Sequence, residues 1–159
     1  MDSPLNECRE RGSCFEPLFH FRHNFKLTRK MKQEKSTEVN YSLDKVFNFL
    51  SNGNNYISKS IERVKLNKSG TAANASIPGL GIIRIDLKAD KENNTIKVYS
   101  NQIGTVITAK LQEAGEKTKI NFSINCEPNL GFIKNSAILL AMPKVMDTMI
   151  VEIKKAVIE

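Results

Sequence analysis

The chain has 159 residues, enough for one domain with a sizeable core, and its 40% hydrophobic and 26% charged residues are ordinary for a soluble globular protein. The longest apolar run, residues 137–142, is far short of a membrane span, and the start lacks the continuous apolar stretch of a signal peptide, so a cytoplasmic protein is expected. The net charge of +7 rests on lysines that alternate with acids and apolar residues; without a basic stripe and interleaved aromatics, no nucleic-acid partner is expected.

Residues 8–23, CRERGSCFEPLFHFRH, hold two of the three cysteines and both histidines. Such residues can bind zinc tetrahedrally, yet C-x5-C and H-x2-H fall outside the usual spacings and no strand or helix pattern frames them. No metal site and no cofactor are therefore expected. Phe15, Phe19, Phe21 and Phe25 follow neither a helical nor a strand period, and the character of the chain changes near Met31. Residues 1–31 read as a poorly ordered extension and 32–159 as the domain.

Residues 32–40 alternate and read as a first strand. Ser42 is placed as an N-cap, with Asp44 in the first turn, where a carboxylate suits the helix dipole. Leu43, Val46, Phe47 and Leu50 fall on one helical face, and the Asn/Gly cluster at 52–55 ends the helix. A second short helix is expected near 54–59. A meander follows, with strands at 61–68, 71–77, 80–90, 95–101, 105–113 and 117–126 separated by short turns, which argues for antiparallel pairing. In the long strand Ile83, Ile85, Leu87 and Ala89 share one face, and Arg84, Asp86, Lys88 and Asp90 the other. Ile96 and Val98, then Ile107, Ala109 and Leu111, then Ile120, Phe122, Ile124 and Cys126 continue the inward set. The end is helical: Met142, Val145, Met146, Met149, Ile150, Ile153 and Val157 form a broad apolar stripe. Pro143 is expected to kink this helix or to sit in its first turn, after a preceding helical piece at 131–142.

The class is α+β, in the order strand, one or two helices, six strands, long helix. A sheet of about seven strands with one apolar face needs a cover, and the C-terminal helix is the element long enough to give it. This order resembles the START-like, or SRPBCC, superfamily with its helix-grip fold, and is similar to its small bacterial members related to polyketide cyclases and lipid carriers. The resemblance covers about residues 32–158 and rests on STEVNYSLDKVFNFLSN, the antiparallel run 61–126 and PNLGFIKNSAILLAMPKVMDTMIVEIKKAV. It implies a cavity between sheet and helix. Its walls would be Val64, Ile83, Ile85, Leu87, Ile96, Val98, Ile107, Ala109, Leu111, Ile120, Phe122 and Ile124, with Met142, Met146 and Met149 from the helix. Core and cavity wall have the same sequence pattern, so these residues equally describe a filled core.

Ser100 and Gln102 extend the Ile96 phase and are the candidate polar contacts, with the hydroxyls of Tyr41, Tyr56 and Tyr99 beside them. Residues 32–159 hold no histidine, so no Ser/His/Asp or Cys/His set can form there. Asp86, Asp90 and Glu113 fall on outward phases; Glu62 alone shares an inward phase, that of Val64 and Leu66. Pro78-Gly79-Leu80-Gly81 lacks the helix and the Lys-Ser/Thr of a phosphate loop and reads as a turn. Cys126 reads as a small buried hydrophobe. The expected function is non-catalytic binding of a hydrophobic small molecule or lipid. The alternatives are a protein-interaction module with a packed core and a cyclase- or hydrolase-like enzyme.

Overall fold

The computed structural model describes residues 30–158. Residues 1–29 of the extension, with Cys8, Cys14, His20 and His23, lie outside the described residues, as does the side chain of Val157, whereas Met31 belongs to the first strand. Strand β1 (Met31–Val39) leads into helix α1 (Leu43–Leu50), a 3-10 turn at Gly53–Asn55 and the short helix α2 (Ile57–Ser60). Six strands follow: β2 (Val64–Leu66), β3 (Ala72–Ile77), β4 (Gly81–Asp90), β5 (Thr95–Ser100), β6 (Thr105–Ala114) and β7 (Lys117–Cys126). Helix α3 (Phe132–Ile158) closes the fold.

All seven strands form one antiparallel sheet in the order β1-β7-β6-β5-β4-β3-β2. Consecutive strands pair through short turns from β2 to β7, and β1 closes onto β7 with Met31 opposite Cys126. The sheet curves around α3, the helix-grip arrangement. The alternation that marks the strands sorts their side chains as a one-sided sheet requires: Ile83, Ile85 and Leu87 are buried between exposed Arg84 and Lys88. Ile138, Met142, Met146, Met149 and Ile153 recur at three- and four-residue spacing and press α3 onto this face. Full burial of each such side chain contributes about 1.5–3 kcal/mol before entropy is counted. Ion pairs of Lys35 with Asp147 and of Lys91 with Asp44 tie α3 to β1 and the β4–β5 turn to α1.

Several local expectations differ from the structure. The strand expected over 61–68 is only Val64–Leu66. Arg63 has a left-handed φ of 54°, which breaks extended pairing before it, and the Asn67 Oδ1 accepts the amides of Thr71 and Ala72 in a turn after it. Ser42 occupies the N-cap of α1, but its hydroxyl makes no capping bond. Residues 131–142 are not a separate piece: α3 runs unbroken through Pro143. Proline has no amide, so the carbonyl of Leu139 is deprived of its usual helical donor there. Ala89 is exposed at the end of β4. Glu62 is exposed in the turn before β2, so no acid faces inward from that strand.

Candidate functional site

One end of the sheet–helix interface is not filled. A cavity of about 80 Å³ opens there, walled by Ile77 of β3, Ile83 and Ile85 of β4, Val98, Tyr99 and Ser100 of β5, and Ile103, Thr105 and Ile107 around the β5–β6 turn. Ile57 and Ser60 of α2 and Ile61 just after it close it on one side, and Met142, Val145 and Met149 of α3 on the other. The wall is almost wholly hydrocarbon. Half-buried Ser60, Ile61, Ile77 and Val145 stand at its edge.

Gly104 shapes this end. It sits at φ 57°, a left-handed conformation that costs an L side chain about 1–2 kcal/mol. A Cβ there would come within 2.3 Å of the carbonyl oxygen of Glu127. The Glu127 amide donates to the Gly104 carbonyl at 2.8 Å. This close approach clamps the β5–β6 turn to the link between β7 and α3, and so holds Ser100, Ile103 and Thr105 under Met142.

The hydroxyls near the cavity are settled differently. Ser60 Oγ donates to the Tyr56 carbonyl at 2.8 Å. Thr105 Oγ1 donates to the Ile103 carbonyl at 3.2 Å and lies 3.1 Å from Cys126 Sγ. The single hydroxyl proton of Thr105 serves one of these contacts at a time, and either Thr105 or Cys126 can donate across the second. Burial pushes that thiol up from its ordinary pKa, and the hydrogen bond with Thr105 pulls it partly back. Cys126 is fully buried and neutral. Tyr56, 1% exposed, donates its hydroxyl to the Leu50 carbonyl at 2.8 Å, and burial drives its phenol far above the ordinary range. Ser100 is the exception: it is 4% exposed, and its Oγ has no hydrogen-bond partner among the described residues.

Of the residues singled out from sequence, Ile83, Ile85, Val98, Ser100, Ile107, Met142 and Met149 line this cavity. Ile96, Ala109 and Phe122 lie deeper, with Leu50, Tyr56 and Ile153, around a gap of only about 10 Å³. Leu87, Leu111, Ile120, Ile124 and Met146 are buried in the core but do not line the cavity, and Val64 is half-buried on β2. Gln102 leaves the inward phase. It lies exposed in the 3-10 turn Asn101–Ile103, where its Oε1 accepts the Arg84 amide at 2.6 Å. The carbonyl of Tyr41, not its hydroxyl, receives the buried Thr118. Tyr99, a candidate hydroxyl from sequence, also lines it, and Ile57, Ser60, Ile61, Ile77, Ile103, Thr105 and Val145 complete the wall without having been assigned to it from sequence. A four-residue helix and the ends of strands carry too little periodicity to reveal which way they face.

Among the described residues no group of three or more His, Cys, Asp or Glu could hold a metal ion. No helix among them is long and apolar enough to cross a membrane.

No protein-family model matches the chain, and no curated protein matches it by sequence. Solved structures do match. Norcoclaurine synthase from Thalictrum flavum is 18% identical, over 83% of this chain and 88% of that one, with a TM-score of 0.61. The KanY protein is 12% identical over 82% of this chain and 99% of its own, with a TM-score of 0.58. The protein XoxI from Bacillus cereus is 14% identical over 80% and 96%, with a TM-score of 0.56. Together with the seven-stranded curved sheet and the long closing helix, these matches establish that the chain shares the helix-grip fold of these solved structures.

Proposed function

We propose that the chain binds a hydrophobic small molecule or lipid between the sheet and α3, without covalent chemistry. The observation that carries this reading is the cavity itself: an apolar space at the interface of two secondary-structure layers, walled partly by Met142 and Met149. Methionine is unbranched and polarizable and repacks around irregular apolar shapes. Ligand sites of drug-like size run to about 300–1,000 Å³. The cavity's 80 Å³ therefore has to grow on binding. Swinging the two methionines and parting Val145 from Ile61 and Ile77 would enlarge it. The same fold gives precedent: norcoclaurine synthase from Thalictrum flavum has been solved in complex with dopamine and hydroxybenzaldehyde.

The non-catalytic part of the reading rests on the wall. Among the described residues it carries no carboxylate, lysine or histidine side chain, so no acid–base pair of theirs faces the space. Native mass spectrometry of the intact purified protein tests the proposal. The expected result is a small-molecule adduct that disappears on denaturation. A bare mass, with no change when the protein is titrated with apolar probes, would overturn it.

A second reading, a protein-interaction module, draws on the first half of α3. Ile133 and Leu140 are 83% and 82% exposed and lie on one side of that helix, opposite the buried stripe. It predicts that Ile133→Asp with Leu140→Asp abolishes partner capture in pull-downs while leaving probe binding in the cavity unchanged.

A further inference from the structure

We infer that Ser100 is the specificity-determining residue of the cavity, and that the site takes a compact apolar molecule carrying one uncharged hydrogen-bonding group, which the Ser100 hydroxyl meets. The inference rests on the binding function proposed above and names the ligand chemistry.

Two independent observations support it. Ser100 lies in the wall of the cavity, in the same inward phase as Ile96 and Val98. Its Oγ is buried and has no hydrogen-bond partner among the described residues, whereas neighbouring Ser60 and Thr105 each have one. A buried hydroxyl without a partner costs free energy, and most such groups in folded proteins are satisfied. A serine hydroxyl has one proton to donate and two lone pairs to accept with. Alanine would fill the same strand position without that cost. A bound molecule presenting a carbonyl, ether or hydroxyl oxygen at this point would satisfy the hydroxyl.

The charge of the ligand follows from the remaining wall. Among the described residues no cationic or carboxylate side chain lines the cavity. A carboxylate, phosphate or ammonium placed beside Ser100 would be desolvated with one neutral hydroxyl to compensate it, which is far too little. A purely hydrocarbon ligand would leave the hydroxyl as unsatisfied as before. Discrimination should therefore fall against both extremes, as it does where a buried polar group must be matched.

The test uses phenol and toluene, which have nearly the same shape and differ in one hydroxyl. Their dissociation constants are measured by NMR titration against the full chain, Ser100→Ala and Ser100→Thr. The expected result is that Ser100→Ala weakens phenol relative to toluene by about five- to tenfold, and that Ser100→Thr restores the ratio. In the absence of either probe, Ser100→Ala should unfold at the same or a higher denaturant concentration than the parent. If both probes bind and the ratio is unchanged in Ser100→Ala, the role of Ser100 is overturned and the binding function stands. If neither probe binds any of the three proteins, both the function and this inference fall. A marked loss of stability in Ser100→Ala would show that the hydroxyl already has a structural partner, and would likewise overturn the inference.

Discussion

At one end of the sheet–helix interface Ile96, Phe122 and Ile153 close on Leu50 and Tyr56 and leave a gap of about 10 Å³. At the other end Ile77, Ser100, Met142 and Val145 stand around about 80 Å³. The two ends also treat their hydroxyls differently. Tyr56 has found the Leu50 carbonyl, while the Ser100 Oγ has no partner among the described residues. The same sheet and the same helix thus build a closed end that holds the fold together and an open end that retains an unmet polar demand. The packed and the unfilled ends are separated along one sheet–helix interface, with Val98, Ile107 and Met149 between them.

That separation can be broken or sharpened by substitution. Phe122→Ala, in the closed end, should cost about 3–5 kcal/mol, because a fully buried ring leaves a hole that its neighbours cannot fill. Ile77→Ala, at the half-buried edge of the open end, should cost clearly less. Urea midpoints of the two variants decide this, and equal losses would erase the distinction. Gly104→Ala should cost at least about 2 kcal/mol, combining the left-handed backbone penalty with the contact to Glu127. It should also loosen the open end, seen as a selective loss of amide protection at Ser100 and Ile103. Tyr56→Phe should cost about 1 kcal/mol, since it removes one buried hydrogen bond while keeping the ring.

The smallest expected effect is a pH dependence at Cys126, beside the open end. Its folded pKa is raised, mainly by burial. Its contribution is therefore whole below the unfolded-state thiol value of about 8.5 and is lost as the pH rises through the folded value. Stability measured from pH 7 to 10 should decline in the parent, and Cys126→Ala should flatten part of that decline. A parallel decline in both proteins would mean that the thiol titrates alike in the folded and unfolded chains.

Much of this architecture is legible in the sequence. Period-two alternation in β4, β6 and β7 and the 3.6-residue stripe in α3 report which side faces the core, because burial acts on every residue of a long element. Ser100 is legible for the same reason: it extends the phase of Ile96 and Val98. Gln102 is misplaced by the same extrapolation, because the strand ends at Ser100 and the 3-10 turn Asn101–Ile103 takes the chain out of strand phase before Gln102. The depth of the cavity is not legible at all. Phe122 at the closed end and Ile83 at the open end are both buried apolar residues on inward phases, and only the volumes around them differ. Volume depends on which side chains interlock across layers, and no local pattern encodes that.

The pairing of β1 with β7 bears on the order in which the chain assembles. From β2 to β7 each strand lies beside its chain neighbour, so this part can zip up through successive hairpins that close small loops. Joining Met31 to Cys126 instead brings together the two ends of the described sheet sequence, with all the other strands in between. Such a distant contact is rewarded only after its loop-closure entropy has been met, and topologies rich in such contacts fold slowly. In a refolding experiment with pulsed hydrogen exchange, the amides of β1 should therefore be the last of the sheet to become protected, and α3 should lock down with them, since Lys35 and Asp147 link the two.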